Sequence, residues 1–187
     1  AWEESENNYM AVCDVEKAQE YLAQASYNGE TLTLLGSSNE IDKNMMTMIQ
    51  ALLLNVGINV EILAEDEALV QTDALDSTKW DLMITNAGGG SQVGEWNRFT
   101  NYNEFGTDYN MAFIHDDTLQ EYLESCTSLE GHTEEKMTEM HEYILENAYY
   151  CALTTTSMNA VYSEDFATLA YRENEFLRAG ACEYYLD

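Results

Sequence analysis

Histidine and cysteine are the residue types here that most readily bind metals or act as nucleophiles. His141 is followed by Glu142, but a zincin motif needs a second histidine four positions after the first, and residue 145 is leucine. We therefore predict that His132 and His141 are surface residues. The cysteines form no CxxC pair, so no zinc site is indicated. We expect neither a metal ion nor a cofactor.

The remaining reactive candidates do not indicate catalysis either. The four cysteines (Cys13, Cys126, Cys151 and Cys182) fit disulfides in an exported protein as well as they fit buried free thiols. Cys151 lies in an apolar segment that we expect to be a strand, where a thiol is normally inert. The glycines from Gly88 to Gly94 match no phosphate-binding motif, and no GxSxG element is present. The sequence therefore predicts a binding protein and not an enzyme.

The charge of the chain limits its partners. Thirty-five acidic residues face seven basic ones, which gives a formal net charge of -28. Such a surface repels phosphate backbones and anionic lipids, so we expect no nucleic-acid partner. No apolar run reaches the roughly 18 residues that a membrane span needs, so we expect no membrane insertion of this segment. Solubility explains the charge most simply, and halophilic adaptation or attraction of cationic ligands remain alternatives.

Hydrophobic periodicity predicts alternating helices and strands in the first half of the chain. Helices are predicted at Asp14–Ser26, Glu40–Val56 and Glu65–Leu75, and strands at Thr31–Gly36, Ile58–Leu63 and Trp80–Thr85. This order is typical of an α/β fold with a mainly parallel sheet and right-handed crossovers. The second helix should pack on that sheet through an apolar stripe that consists of Ile41, Met45, Met48, Ile49, Leu52, Leu53 and Val56.

The second half is predicted to be mainly helical. One amphipathic helix carries Leu119, Tyr122, Leu123 and Cys126, and another spans Thr133–Ala148. Extended segments are expected at Tyr149–Thr155 and Asn159–Tyr162.

The predicted topology also provides a location for a ligand. In open parallel sheets, ligands bind beyond the carboxyl ends of the strands. A glycine-rich loop, Asn86–Asp108, begins at the third such end, and loops of this length are often functional. The predicted ligand-binding residues are Ser37, Ser38, Glu65, Asn86, Ala87, Gly88, Gly89 and Trp96. From the residues alone, ordinary connections between elements are an equally good explanation.

Several segments, taken in order, resemble the carboxy-terminal lobe of family 5 solute-binding proteins of ABC importers. These are Asp14-Val15-Glu16-Lys17-Ala18, Thr31-Leu32-Thr33-Leu34-Leu35, Ile49-Gln50-Ala51-Leu52-Leu53, Gly57-Ile58-Asn59-Val60-Glu61 and Trp80-Asp81-Leu82-Met83-Ile84. Leu119–Leu123, Met140–Leu145 and Ala148–Leu153 resemble the closing helices and the returning strand. The likeness covers about residues 12–165, and complete family members are far longer.

The resemblance implies a three-layer lobe of the type II periplasmic-binding-protein-like fold. Residues 1–148 would form the ligand-binding lobe, and residues 149–187 would return towards an amino-terminal lobe outside this sequence. The protein would capture a peptide or another small molecule and deliver it to the permease subunits of an ABC importer. It would act as a monomer, outside the cell or in the periplasm, with a lipid anchor on another segment. A non-transport sensor or surface-interaction module on the same fold is the alternative.

Two departures from the family pattern bear on the ligand. The chain contains no proline, so Val15, the Gln92–Val93 region, Tyr149 and Ala152 occupy sites where family members usually carry one. Peptide-binding members also carry tryptophan at the start of the ligand loop and, three residues later, an aspartate that pairs with the peptide amine. Asn86 and Gly89 occupy those positions here. The resemblance therefore predicts that no loop aspartate anchors a peptide amine in this protein.

Overall fold

The computed structural model describes residues 14–85, 112–151 and 153–154, and the backbone of two strands at 166–169 and 182–184. Its elements are α1 (Val15–Gln24), β1 (Thr31–Ser37), α2 (Glu40–Asn55), β2 (Asn59–Glu65), α3 (Glu67–Asp73), β3 (Leu82–Met83), α4 (Asp117–Thr127), α5 (Glu134–Glu146), β4 (Phe166–Leu169) and β5 (Cys182–Tyr184). The predicted order of elements from α1 to β3 is confirmed. The predicted loop at Asn86–Asp108 and the extended segment at Asn159–Tyr162 lie outside the described residues.

The first half of the chain forms a three-stranded parallel sheet in the order β2-β1-β3. β1 pairs with β2 in register from Thr31↔Asn59 to Ser37↔Glu65. β3 pairs with β1 through Leu34↔Leu82 and Leu35↔Met83. Asp81 extends this contact, because its backbone N–H donates to the Thr33 carbonyl at 2.9 Å while its side chain accepts from the Thr33 N–H at 2.7 Å. The predicted α/β fold with a mainly parallel sheet is confirmed.

The predicted buried stripe of α2 is wrong for three of its members. Ile41, Met48 and Leu52 are exposed, whereas Met46, which the prediction omitted, is completely buried with Leu34 and Val60. Ile49 and Leu53 are partly buried against the same cluster. The helix is therefore rotated about its axis relative to the prediction.

Three local features fix this rotation. A side chain at Gly36 would place its Cβ only 2.8 Å from the Met46 sulfur, so the bare backbone of β1 makes room for Met46. The Gln50 side-chain amide donates to the Val60 carbonyl at 2.7 Å. At the start of the helix, Asn39 caps the Asp42 N–H at 2.8 Å. Together these contacts turn Met46 towards the sheet and leave Leu52 in solvent.

The helices α4 and α5 form a hairpin with its own hydrophobic core. Its buried members are Ile114, Leu119, Leu123, Cys126, Met140 and Ile144. Ile114 precedes α4, and the other five residues lie on the two helices at helical spacing. The antiparallel pair β4–β5 was not predicted.

Asp116 connects the two helices of the hairpin through four hydrogen bonds. One carboxylate oxygen caps α4 by accepting from the backbone N–H groups of Thr118 at 2.8 Å and Leu119 at 3.0 Å. The other oxygen accepts from the hydroxyl of Tyr143, on α5, at 2.8 Å, and from the hydroxyl of Tyr149. Partial burial alone would raise the pKa of Asp116, but these hydrogen bonds outweigh it and hold the pKa below its usual range.

The turn between α4 and α5 leaves no space for a side chain at Gly131. A Cβ there would lie 2.0 Å from the Ser125 carbonyl oxygen and 2.6 Å from the Ser128 hydroxyl. The Gly131 N–H donates to that hydroxyl at 2.9 Å. A tight α4–α5 connection therefore depends on glycine at this position.

Replacing Gly131 by alanine should lower the free energy of unfolding by about 1–3 kcal/mol, because the turn must open to admit the methyl group. Urea unfolding of the full-length protein measures the effect. Leu129→Ala is the matched control, since Leu129 belongs to the same turn and is 98% exposed. Equal stabilities of the two variants would show that the turn is not closely packed.

Candidate functional site

The carboxyl ends of β1 and β2 form the described part of the predicted ligand edge. Ser37 and Glu65 are register partners there, and the Ser38 N–H donates to the Glu65 carbonyl at 2.6 Å. On the other side of β1, the Ile84 N–H donates to the Leu35 carbonyl at 2.9 Å and brings the end of β3 to the same edge. Three of the predicted site residues, Ser37, Ser38 and Glu65, therefore lie side by side.

Both serine hydroxyls already have partners within the edge. Ser37 is nearly buried, and its hydroxyl oxygen accepts from the Asn39 N–H at 3.3 Å. The Ser38 hydroxyl donates to the Asp66 carboxylate at 3.3 Å. A ligand that used these hydroxyls would therefore meet groups held in place by β1 and by the starts of α2 and α3.

Glu65 is the most perturbed group at the edge. One of its carboxylate oxygens is buried without a hydrogen-bond partner. Partial burial, followed by the nearby Asp73 carboxylate, raises the pKa of Glu65, while Lys79 opposes the shift. Lys79 itself lies 4.0 Å from Asp73. Glu65 thus belongs to a small group of charged residues at the two ends of α3.

Glu65 was also predicted to begin α3, and this is wrong by two residues. Glu65 is the last residue of β2, Asp66 precedes the helix, and α3 begins at Glu67. The Leu69 N–H donates to the Asp66 carbonyl at 2.8 Å and closes the first turn. This places Asp66 at the ligand edge, where the sequence interpretation had not included it. The sequence does contain a signal for this position, because aspartate is a preferred residue immediately before a helix.

The other predicted site residues, Asn86, Ala87, Gly88, Gly89 and Trp96, lie outside the described residues. Their assignment to the ligand site stays a prediction. The last described residue before them is Thr85, which is exposed and lies two residues after β3.

The residues with catalytic or metal-binding potential are dispersed. His132 is exposed and its Nδ1 lies 3.2 Å from the Cys126 carbonyl, as expected for a surface residue. His141 is only partly exposed, and burial lowers its pKa. Cys126 and Cys151 are free thiols, but Cys151, expected on a strand, is exposed and not part of a strand. Within the described ranges, no group of three or more His, Cys, Asp or Glu residues could hold a metal ion.

The edge therefore carries two serine hydroxyls and the carboxylates of Glu65 and Asp66 at the end of a parallel sheet. These groups suit hydrogen bonding to a small polar ligand. In the part of the chain that the structure describes, no helix is long and apolar enough to cross a membrane.

Comparison with protein families gives one match. The sequence model described as bacterial extracellular solute-binding proteins, family 5 Middle, matches residues 1–109. No curated protein matches the chain.

Solved structures with the same fold include the following three, two of which contain a ligand. The ABC transporter substrate-binding protein CtaP of Listeria monocytogenes is 15% identical with a TM-score of 0.61, over 73% of this chain and 28% of that chain. The protein AgaA of A. tumefaciens R10, in complex with agropinic acid, is 20% identical with a TM-score of 0.58, over 73% and 28%. A dipeptide-binding protein of Pseudoalteromonas sp. SM9913, in complex with Met-Leu, is 16% identical with a TM-score of 0.59, over 73% and 29%.

At such identities the likeness shows the fold alone. The chain spans less than a third of the length of each of these three proteins. It therefore corresponds to one part of each of these longer proteins.

Proposed function

This chain belongs to the bacterial extracellular solute-binding proteins of family 5, whose model matches more than half of it, and we propose that it forms the carboxy-terminal lobe of a ligand-capturing protein of an ABC importer. The supporting observation is the parallel β2-β1-β3 sheet, whose carboxyl-end edge gathers Ser37, Ser38 and Glu65. That edge is where open α/β sheets hold ligands.

The proposed site combines the described edge with the segment that follows it. Ser37, Ser38 and Glu65 provide one side, and Asn86, Ala87, Gly88, Gly89 and Trp96 provide the other. Glycines allow the backbone to approach a ligand closely, and a tryptophan ring offers a flat apolar surface. The amino-terminal lobe would close over this surface and complete the pocket. The lobe would consist of residues 1–148, and residues 149–187 would return towards the other lobe.

The ligand class is a peptide or another small molecule. Similar structures hold ligands as different as Met-Leu and agropinic acid. The fold therefore accommodates both classes, and the site residues decide between them. The protein would pass its ligand to ABC permease subunits, outside the cell or in the periplasm, and a lipid anchor on another segment would hold it there. It would capture the ligand as a monomer, without catalysing a reaction.

We further propose that no loop aspartate holds a ligand amine. A buried ammonium group without an acidic partner is costly to desolvate, and Gly89 has no side chain to provide that partner. Glu95 and the groups of the other lobe are the substitutes that a free-amine peptide would require.

Calorimetry on the full-length protein tests this proposal with a peptide whose amino terminus is either free or acetylated. If no buried ion pair holds the amine, acetylation should change the dissociation constant by less than about tenfold. Loss of a buried ion pair would change it by more, because such a pair is worth more than about 1.4 kcal/mol, the equivalent of a factor of ten. Mass spectrometry of small molecules released from the purified protein identifies the ligand to compare. Loss of tight binding on acetylation, with no effect of Glu95→Gln, would show that the amine is anchored elsewhere.

A further inference from the structure

The outward side of α2 carries an apolar stripe that does not pack on the sheet. Ile41, Met48 and Leu52 are 72%, 66% and 57% exposed, and Met45 lies between them, partly buried. The spacing of four, three and four residues is that of positions d, a, d and a in a coiled coil. These four side chains, which we call the α2 seam, therefore lie along one line of the helix surface.

The α2 seam is free of charge in a strongly anionic chain. From Asn44 to Val60 the sequence contains no charged residue, although the chain carries a net charge of -28. The positions beside the seam are Asp42, Asn44, Ile49 and Ala51, of which only Asp42 is charged, and its side chain is buried at the start of the helix. Two copies of an anionic protein repel each other wherever their carboxylates meet. The α2 seam is thus a surface through which two copies can approach at low electrostatic cost.

We propose that the α2 seam is the contact surface of a weak, reversible homodimer in which α2 packs antiparallel to its copy. A twofold axis between Met45 and Met48 sets Ile41 against the partner's Leu52 and Met45 against the partner's Met48. The same surface then serves both subunits, as a twofold interface requires. Antiparallel packing also places the opposite ends of the two helix dipoles side by side.

The size of the contact sets its strength. A single helix pair buries far less than the roughly 1,200–2,000 Å² of a stable interface, so we expect a dissociation constant on the order of 100 µM. Repulsion between the two anionic chains weakens the contact at low ionic strength. Salt screens that repulsion and leaves the apolar contact intact. The dimer should therefore form as salt rises, which is opposite to the behaviour of an interface built on ion pairs.

Sedimentation velocity of the full-length protein tests this proposal at about 0.05 M and about 1 M sodium chloride, which span strong and weak electrostatic repulsion. The association constant should increase with salt. Met48→Glu places two carboxylates near the twofold axis and should weaken association at high salt by at least about tenfold. Leu54→Glu is the matched control, because Leu54 is 60% exposed but lies on another side of the helix. It should leave association unchanged.

Three results would overturn the proposal. The first is a protein that stays monomeric at high salt, and the second is an equal effect of Met48→Glu and Leu54→Glu. The third is slow labelling of a Met48→Cys variant in dilute solution, which would show that another segment of the same polypeptide covers the α2 seam. Ligand affinity should be the same in the Met48→Glu variant, so failure of this proposal is separable from failure of the proposed function.

Discussion

Replacing Asp116 by alanine should lower the free energy of unfolding by about 2–4 kcal/mol, since four hydrogen bonds to a charged acceptor disappear together. Its two backbone donors begin α4, and its two tyrosine donors belong to α5 and the segment after it. The variant therefore loses a helix cap and the polar link between the two helices. Urea unfolding of the full-length protein measures the change.

A matched control exists at the start of α1. Asp14 is also an N-cap aspartate, but it is exposed and accepts one hydrogen bond, from the Lys17 N–H at 2.8 Å. Asp14→Ala should cost only about 1 kcal/mol. Equal losses in the two variants would mean that the tyrosine hydroxyls contribute nothing to the stability of the hairpin.

The contribution of Asp116 should also depend on pH, in a direction set by its pKa. Because the pKa is lower in the folded protein than in the unfolded chain, unfolding takes up a proton at acidic pH. The stabilisation is complete well above about pH 4, the ordinary value for aspartate, and disappears as the pH falls through the lower folded-state value. The difference in stability between the native protein and Asp116→Asn should therefore shrink on acidification. A difference that grows towards low pH would contradict this account.

Replacing Met46 by alanine should cost about 2–5 kcal/mol, as expected for the loss of a fully buried side chain. Met46 lies against Gly36 of β1, so its removal leaves a cavity between α2 and the sheet. Leu52→Ala, on the same helix, should change stability by no more than about 0.5 kcal/mol, because Leu52 is 57% exposed. Urea unfolding of both variants in dilute solution at low salt gives the comparison. A larger loss of stability in Leu52→Ala than in Met46→Ala would mean that Leu52, and not Met46, faces the sheet.

The order of elements could be predicted from the sequence because each boundary has its own local signal. Asp14 caps α1, and Gly57, at a φ of +96°, follows the end of α2. The rotation of α2 could not be predicted in this way. Apolar residues occupy most of its circumference from Met45 to Leu54, so the periodicity does not distinguish an inner from an outer side. The deciding contacts are with Gly36 and Val60, which belong to other elements.

The candidate site was predictable to the same extent. Parallel topology alone brings Ser37 next to Glu65, and the structure confirms that neighbourhood. The grouping of Glu65 with Asp73 and Lys79 could not be predicted, because it depends on how α3 lies against the sheet. The sequence pattern predicts which strands end at the same edge of the sheet. It does not predict which side chains interact at that edge, because those interactions depend on tertiary contacts.

The hydrogen bond from Gln50 to Val60 has a consequence for aggregation. β2 is an outer strand of the described three-stranded sheet, and exposed strand edges are templates on which further chains can add. Along a strand in a parallel sheet, the backbone groups of successive residues point to opposite sides of the strand. The Glu65 carbonyl points towards β1, so the Val60 carbonyl, an odd number of residues away, points away from β1. The Gln50 side-chain amide donates a hydrogen bond to that carbonyl, which is then not available to another strand. The helix that packs on the sheet thus also protects the edge of β2 against the strand-by-strand growth that leads to amyloid.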